Sequence, residues 1–384
     1  MKPILIESSE KMDELLAHLK GVKLIAVDTE FFRETTYYPQ LALVQIATDS
    51  IVACIDPPAF DAREALQQLL LDETVTKIFH SCSQDLEVLY YYLGCTPTPI
   101  YDTQIANALL CEHQQIGYAR LVENELGVQL DKSQTRTNWL QRPLTKEQLQ
   151  YAGDDVYYLF QLQHKLDSQL HEKGRKDWFE EETAALHYDE STFQVDTENL
   201  WRRVKSSSRL NRNKLAIVQT IAVWREQLAQ QHDKTRRKIL SDDIVLDLAF
   251  NPPVDSDELQ RLINNKTRTE RRSQSIRLTG EQLDSLLDAI EEGRHMPEKQ
   301  MPDNSFTVLD GEQKQMLRRL QQLVSDKAET LGIASTMLYS KKDLEKLILQ
   351  QVTLEKSANN ETISHDNWRY RCIGEQLTAA VNNK

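Results

Sequence analysis

Apolar residues arrive in two rhythms along this chain. Through the first hundred residues the runs are short and continuous: PILIE, LIAVD, LALVQIA, IVACID and KIFHS, each of strand length and each bounded by polar or turn residues. Continuous apolar runs of this kind suit strands buried on both faces. Between them the spacing changes to that of a helix. Met12, Leu15, Leu16 and Leu19 form one face after an N-cap candidate at Ser9, and Gly21 stops the segment. Asp61 and Glu64 have capping-box spacing ahead of REALQQLLL, and DLEVLYYYLG ends at Gly94. From Asp102 the helical rhythm takes over in TQIANALL, ARLVENELG and KEQLQYAGDDVYYLFQLQHKLDSQL. About five strands among helices predict a mixed α/β first domain over residues 1–195.

After Leu200 the strand signal stops. LNRNKLAIVQTIAVWREQLAQQ, DDIVLDLAF and DELQRLI read as helices punctuated by Pro252 and Pro253. A polar stretch with Pro297 and Pro302 then precedes GEQKQMLRRLQQLVSDKAETLG and KKDLEKLILQ. The expectation is two small all-helical modules, residues 205–290 and 305–384.

Length and composition agree with several folded domains: 384 residues, 40% hydrophobic and 27% charged. No run approaches the about 18 apolar residues of a membrane span, and MKPILIESSEK lacks the character of a secretory signal, so a cytoplasmic protein is expected. Five cysteines without a C-x-x-C pair argue against a disulfide or zinc scaffold. Net charge is −13, which taken alone disfavours nucleic acid. Its distribution reverses that impression: Trp201 to Arg277 holds 17 Lys/Arg against 9 Asp/Glu, a local +8, and the remainder carries −21. An acidic body with one basic module suits a metal-dependent enzyme with an appended binding domain, although a solvated helical surface has the same composition.

Candidate chemistry sits in the α/β region. In LIAVDTEF the period of two puts Asp28 and Glu30 on one strand face, at the end of a buried run. Asp85 opens the helix after KIFHS, where capping alone would explain it. Tyr151 and Asp155, four apart, share a helix face, while Asp154 points about 100° away. Carboxylates plus water satisfy magnesium, and paired cations are a general device for cleaving phosphodiesters.

These segments resemble the three motifs of the DEDD exonuclease superfamily, with Tyr151-x-x-x-Asp155 marking the tyrosine subclass and Gln150 standing where the histidine subclass carries His. DTEFFRETTYYPQLALVQIA, FHSCSQDLEVLYYYLG, LDKSQTRTNWLQRPLT and YAGDDVYYL together resemble the bacterial ribonuclease D family. RLNRNKLAIVQTIAVWREQLAQQ…KILSDDIVLDLAFNPP resembles its nucleic-acid-binding HRDC domain, and the block from about Asp310 resembles a diverged second copy lacking the Trp224–Arg225 pair. The resemblance implies an RNase H-like mixed-sheet fold followed by two HRDC-like all-α domains. It also implies two divalent cations, Mg²⁺ or Mn²⁺, held by Asp28, Glu30, Asp85 and Asp155, with Tyr151 orienting the attacking water. The implied activity is 3′-5′ trimming of RNA with a single-stranded 3′ end, tRNA precursors by family analogy, releasing 5′-mononucleotides. A monomer without nucleotide cofactor is expected. A DNA-directed exonuclease of the same superfamily and a non-catalytic nucleic-acid binder are the alternatives.

Candidates for contact with the strand are Phe31, Tyr37, Tyr38 and Gln45 near the first motif, the aromatics fitting the core equally well, and Lys132 and Arg136 in LDKSQTRTNW; His80, at the end of KIFHS, is a candidate too, read first as a structural hydrogen-bonder. In the basic module they are Arg209, Arg212, Lys214, Arg236, Arg237 and Lys238, with Trp224 read as core.

Overall fold

The computed structural model describes residues 1–184, 190–269, 277–303, 309–354 and 367–382. Arg271 and Arg272 of the basic stretch, and the expected limits of the last module at 305 and 384, lie outside the described residues. Two compact units are present. The first comprises Met1–Phe32, Leu41–Thr192 and Val308–Lys384; the second comprises Arg33–Gln40 and Phe193–Thr307.

The first unit is built on a six-stranded mixed sheet. In chain order its strands are β1 (Ile4–Ile6), β2 (Leu24–Phe32), β3 (Gln40–Ala47), β4 (Val52–Ile55), β5 (Thr76–Phe79) and β6 (Ile100–Asp102), with spatial order β1-β4-β3-β2-β5-β6. β3 and β4 are antiparallel, whereas β1 with β4, β2 with β5, and β5 with β6 are parallel. The sixth strand exceeds the five expected from the apolar runs, because IYD is only three residues long and gives no readable run.

Helices α1 (Ser9–His18), α2 (Arg63–Leu70), α3 (Ser83–Leu93), α4 (Thr103–Ala108), α5 (Tyr118–Leu126), α6 (Lys146–Glu172) and α7 (Lys176–Ala184) connect and follow the strands. Two start signals differ from expectation. Ser8, not Ser9, caps α1 by accepting from Lys11 N. α2 starts at Arg63, so Asp61 accepts from the Arg63 amide in place of a capping box. The 27-residue α6 opens with a complete capping box, Thr145 with Gln148, and turns Ala152, Val156, Leu159, Leu162, Leu166 and Leu170 inward. Gly153 lets it approach closely: a Cβ there would stand 2.2 Å from Pro3 Cγ and 3.3 Å from Val52 Cγ1.

The short α8 (Glu190–Phe193) precedes the helical unit, which contains α9 (Arg212–Gln231), α10 (Arg236–Ile239), α11 (Asp242–Phe250), α12 (Ser256–Thr269) and α13 (Gly280–Arg294) around one apolar core. The last block, α14 (Gly311–Leu331), α15 (Ser335–Leu338), α16 (Lys341–Leu354) and α17 (Glu375–Asn382), belongs to the first unit. Its Leu320, Val324 and Leu377 join the same apolar cluster as Tyr101, Leu109 and Phe179. Trp368 stacks on Trp178 at 4.6 Å, and Glu182 accepts from the Trp368 indole (2.6 Å) and from Arg369. All five cysteines are free, and no helix of the described residues is long and apolar enough to cross a membrane.

Candidate active site

The parallel strands β2 and β5 run in register, Ala26 beside Ile78, so their carboxyl ends open at the same level. That is where open α/β sheets place ligands, because the chain turns away there and leaves a crevice. Asp28 and Glu30 stand on the end of β2. β5 hands over to His80, a tight turn and α3, whose first turn carries Asp85. α6 brings Tyr151 and Asp155 from its buried side.

The five motif residues line one cavity of about 410 Å³, together with Thr29, Phe31, His80, Ser81, Ser83, Gln84, Tyr118 and Leu159. Oxygen atoms of Asp28, Glu30 and Asp155 all lie within 4.8 Å of one another. Asp85 stands outside that triplet but on the same cavity, and Thr29 donates to its Oδ1 at 2.6 Å. Asp85 is not the N-cap residue of α3 but lies in its first turn, where an acid complements the helix dipole. A second cavity of about 350 Å³, lined by Leu130, Asp131, Lys146, Glu147, Gln150 and Asp154, shares Tyr151 and Asp155 with the first. Asp154 accepts from Gln150 at 2.9 Å and faces this second space.

The cluster concentrates acidic groups in a desolvated place. Burial, then Asp155 and Asp85, push the Glu30 carboxyl up to about 9. Asp28 rises well above its ordinary value through burial and three neighbouring carboxylates. Asp85 and Asp155 are each raised to about 7, chiefly by burial. Tyr151 is raised by burial and by Asp155, so its hydroxyl keeps its proton and serves as a hydrogen-bond donor; it also lies 3.5 Å from Thr135 Oγ1. Crowded, desolvated carboxylates of this kind are costly without a cation, and an all-oxygen donor set suits a hard divalent one. These residues therefore fit the divalent metals that DEDD exonucleases use.

The remaining sequence candidates fall in varied surroundings. Phe31 lines the first cavity. His80 lines it too, but both ring nitrogens are engaged: Nε2 donates to the Ile116 carbonyl (3.0 Å), leaving Nδ1 to accept from Thr103 Oγ1 (3.0 Å). Burial lowers its pKa, so the ring faces the cavity neutral, beside Tyr118 at 5.6 Å. Gln45 is wholly buried in β3, and neither amide atom of its side chain meets a protein partner. Lys132 and Arg136 are exposed.

Tyr37 and Tyr38 belong to the helical unit. Tyr37 is 7% exposed, its hydroxyl donates to Glu226, and both tyrosine amides donate to Asp233 Oδ1 at 2.9 Å. Arg236 is paired with Glu226, Arg212 donates to the carbonyls of Glu298 and Met301, and Lys214 lies 3.7 Å over the Phe250 ring. Arg209 and Arg237 are exposed, and Lys238 is half-buried. Trp224 is core, as expected, with its indole donating to Ser285 Oγ at 2.9 Å. Sequence reading missed Thr29, Tyr118 and the Asp102–Gln104 segment. The one available signal was Thr29, enclosed between the two acids of D-T-E.

Residues 3–171 match the protein-family model described as 3′-5′ exonuclease, and residues 214–274 match that of the HRDC domain. Ribonuclease D of Bartonella henselae is 31% identical over 390 residues, covering 99% of this chain and 90% of that protein. Ribonuclease D of Zymomonas mobilis subsp. mobilis is 33% identical over 384 residues, covering 99% and 94%. Among solved structures, Escherichia coli RNase D, described as an exoribonuclease involved in structured RNA processing, gives a TM-score of 0.81 at 29% identity over 100% of this chain and 99% of that one.

Proposed function

The chain belongs to the ribonuclease D family of 3′-5′ exoribonucleases, and from that premise we propose that Asp28, Glu30, Asp85, Tyr151 and Asp155 are its catalytic residues. The observation that carries the reading is the one cavity that all five line, with oxygen atoms of three carboxylates within 4.8 Å of one another.

Asp28, Glu30 and Asp155 would hold one divalent cation, and Asp28 with Asp85 a second. Bound there, the cations supply the positive charge that activates water and stabilises the departing 3′-oxygen. The protein's own residues do the rest. Tyr151, protonated and hydrogen-bonded to Asp155, orients the attacking water toward the terminal phosphodiester. Thr29 holds the Asp85 carboxylate in one rotamer. His80, Tyr118 and Phe31 give the terminal nucleotide an aromatic wall on which every base can stack, which suits an enzyme that must accept all four. Hydrolysis releases 5′-mononucleotides one at a time.

The substrates proposed are RNAs with single-stranded 3′ ends, tRNA precursors among them, acted on in the cytoplasm by a monomer using Mg²⁺ or Mn²⁺. Residues 1–195 would form the exonuclease domain, 205–290 an RNA-binding HRDC-like domain and 305–384 a second, diverged one. A 5′-labelled hairpin RNA with a 3′ tail, incubated with Mg²⁺, Mn²⁺ or EDTA beside matched DNA and the Asp28→Ala variant, tests the reading. A metal-dependent ladder receding from the 3′ end, absent in Asp28→Ala, is expected. Faster cleavage of DNA would move the function to DNA, and binding without cleavage would overturn the catalytic assignment.

A further inference from the structure

Three consecutive residues at the end of β6 brace one wall of the cavity. Asp102 is 3% exposed, and its carboxylate accepts three backbone amides: Oδ1 from Ser81 (3.0 Å) and Gln104 (2.8 Å), Oδ2 from Cys82 (2.9 Å). Thr103 Oγ1 meets His80 Nδ1 and lies 3.1 Å from the Phe79 carbonyl. The Gln104 side-chain amide donates to the Ile116 carbonyl (3.0 Å), which His80 Nε2 also reaches.

Capping α4 would need only the bond from Gln104. The two amides at positions 81 and 82 lie about twenty residues away in sequence, and among the described residues Oδ2 accepts from Cys82 alone. Their turn is unusual in itself: Ser81 has φ +60, a left-handed conformation that a residue with a Cβ keeps only when its surroundings hold it there. The turn decides where α3 begins, and Asp85 sits in the first turn of α3. Asp85 is thus fixed at two points, its side chain by Thr29 and its backbone through the turn that Asp102 holds.

We propose that Asp102 is a positioning residue: its buried carboxylate locks the Ser81–Cys82 turn and thereby sets Asp85 against the other metal-binding carboxylates. The proposal rests on the catalytic reading above and names a role outside the five motif residues. Groups that orient a metal ligand without touching the metal change affinity or rate by about 10–100-fold when removed. Asparagine at 102 retains the volume but presents an NH₂ to one of the backbone N–H groups, so the turn loses an acceptor and gains a donor.

The test uses the full chain, wild type, Asp102→Asn, and Asp102→Asn combined with Ser81→Gly, because glycine adopts φ +60 without being held. Mn²⁺ binding without RNA is followed by calorimetry or by the Mn²⁺ paramagnetic signal, kcat and KM are measured on a short labelled RNA, and thermal unfolding in EDTA gives the folded fraction. Expected for Asp102→Asn are about 10–100-fold weaker binding of one Mn²⁺ and a kcat lower by a similar factor, with KM little changed. Ser81→Gly should restore part of both. Wild-type Mn²⁺ affinity in Asp102→Asn would overturn the proposal, as would a loss of rate that merely follows the unfolded fraction. If wild type bound Mn²⁺ but cleaved no RNA, the catalytic reading would fail while the difference in Mn²⁺ binding still judged Asp102.

Discussion

Glu30 and Glu226 are both removed from bulk water, yet their surroundings answer that cost in opposite ways. Around Glu30 the neighbours are acids, and burial with Asp155 and Asp85 raises its carboxyl to about 9. Around Glu226 burial also pushes upward, but Arg236 and the Tyr37 hydroxyl outweigh it and hold the carboxyl below its usual value. Glu226 is a finished ion pair within the helical unit, 2% exposed, with Arg236 Nη2 at 2.6 Å. Glu30 belongs to a group whose compensating charge has to come from outside the chain. A buried carboxylate marks function only when the protein leaves it uncompensated by its own cations, which is why burial alone would not have told these two apart.

The largest break in that comparison comes from neutralising the cluster. Glu30→Gln or Asp155→Asn should lower exoribonuclease kcat by about 10³-fold or more, the scale of losing a group that stabilises charge in the transition state. The same change should stabilise the metal-free protein by about 1–2 kcal/mol in denaturant unfolding with EDTA at about pH 8, since a neutral amide enters the buried cluster without having to take up a proton. Equal or lower stability would mean that the cluster is not strained. Glu226→Gln should do the reverse: about 2–3 kcal/mol of lost stability, because Arg236 keeps its charge and loses its partner, with the rate on a short RNA near that of wild type.

The pH slopes should also be opposed. Glu30 is protonated in the folded state up to about 9 but only to about 4.5 when unfolded, so its contribution is intact below about 4.5 and is lost as pH rises toward 9. Asp85 and Asp155, raised to about 7, add to the same trend. Glu226 has the opposite sign: its contribution is present above the ordinary glutamate value and is lost as pH falls through the lower folded one. EDTA-treated protein should therefore lose stability between about pH 5 and 9, and Mn²⁺ should flatten that limb, with protons released on metal binding at pH 6. Unfolding curves across pH, with and without Mn²⁺, read this directly. The smallest effect concerns the helical surface. Arg209→Ala with Arg237→Ala should make RNA binding less salt-dependent, its log–log slope falling by about one for each phosphate no longer neutralised, without changing the preference among RNA sequences.

The strands and helices were legible because their causes are local. Apolar runs gave β1 to β5, the helical rhythm of KEQLQYAGDDVYYL gave α6, and the spacing of Tyr151 and Asp155 put both on one helix face. The third parallel pairing, with β6, was not legible, since three residues contain no period to detect. Asp85 looked like a helix cap because its partner, Thr29, lies 56 positions earlier. Tyr37 looked like a stacking residue near the first motif, and its bond to Glu226 spans 189 positions. Arg236 and Lys214 looked like free cations for the same reason: charge is written in the sequence, but occupancy of that charge is not.

By itself, then, the sequence determined the kinds of element, the family resemblance and the residue types able to bind a divalent metal, because periodicity and motif spacing act over a few residues. Only the tertiary structure decided which carboxylates share a cavity and which are neutralised, that Asp102 grips the turn before Asp85, and that Gly153 lets α6 close against Pro3 and Val52. Those outcomes depend on distances between segments remote in the chain, and a buried charge acquires its meaning from whatever the fold sets beside it.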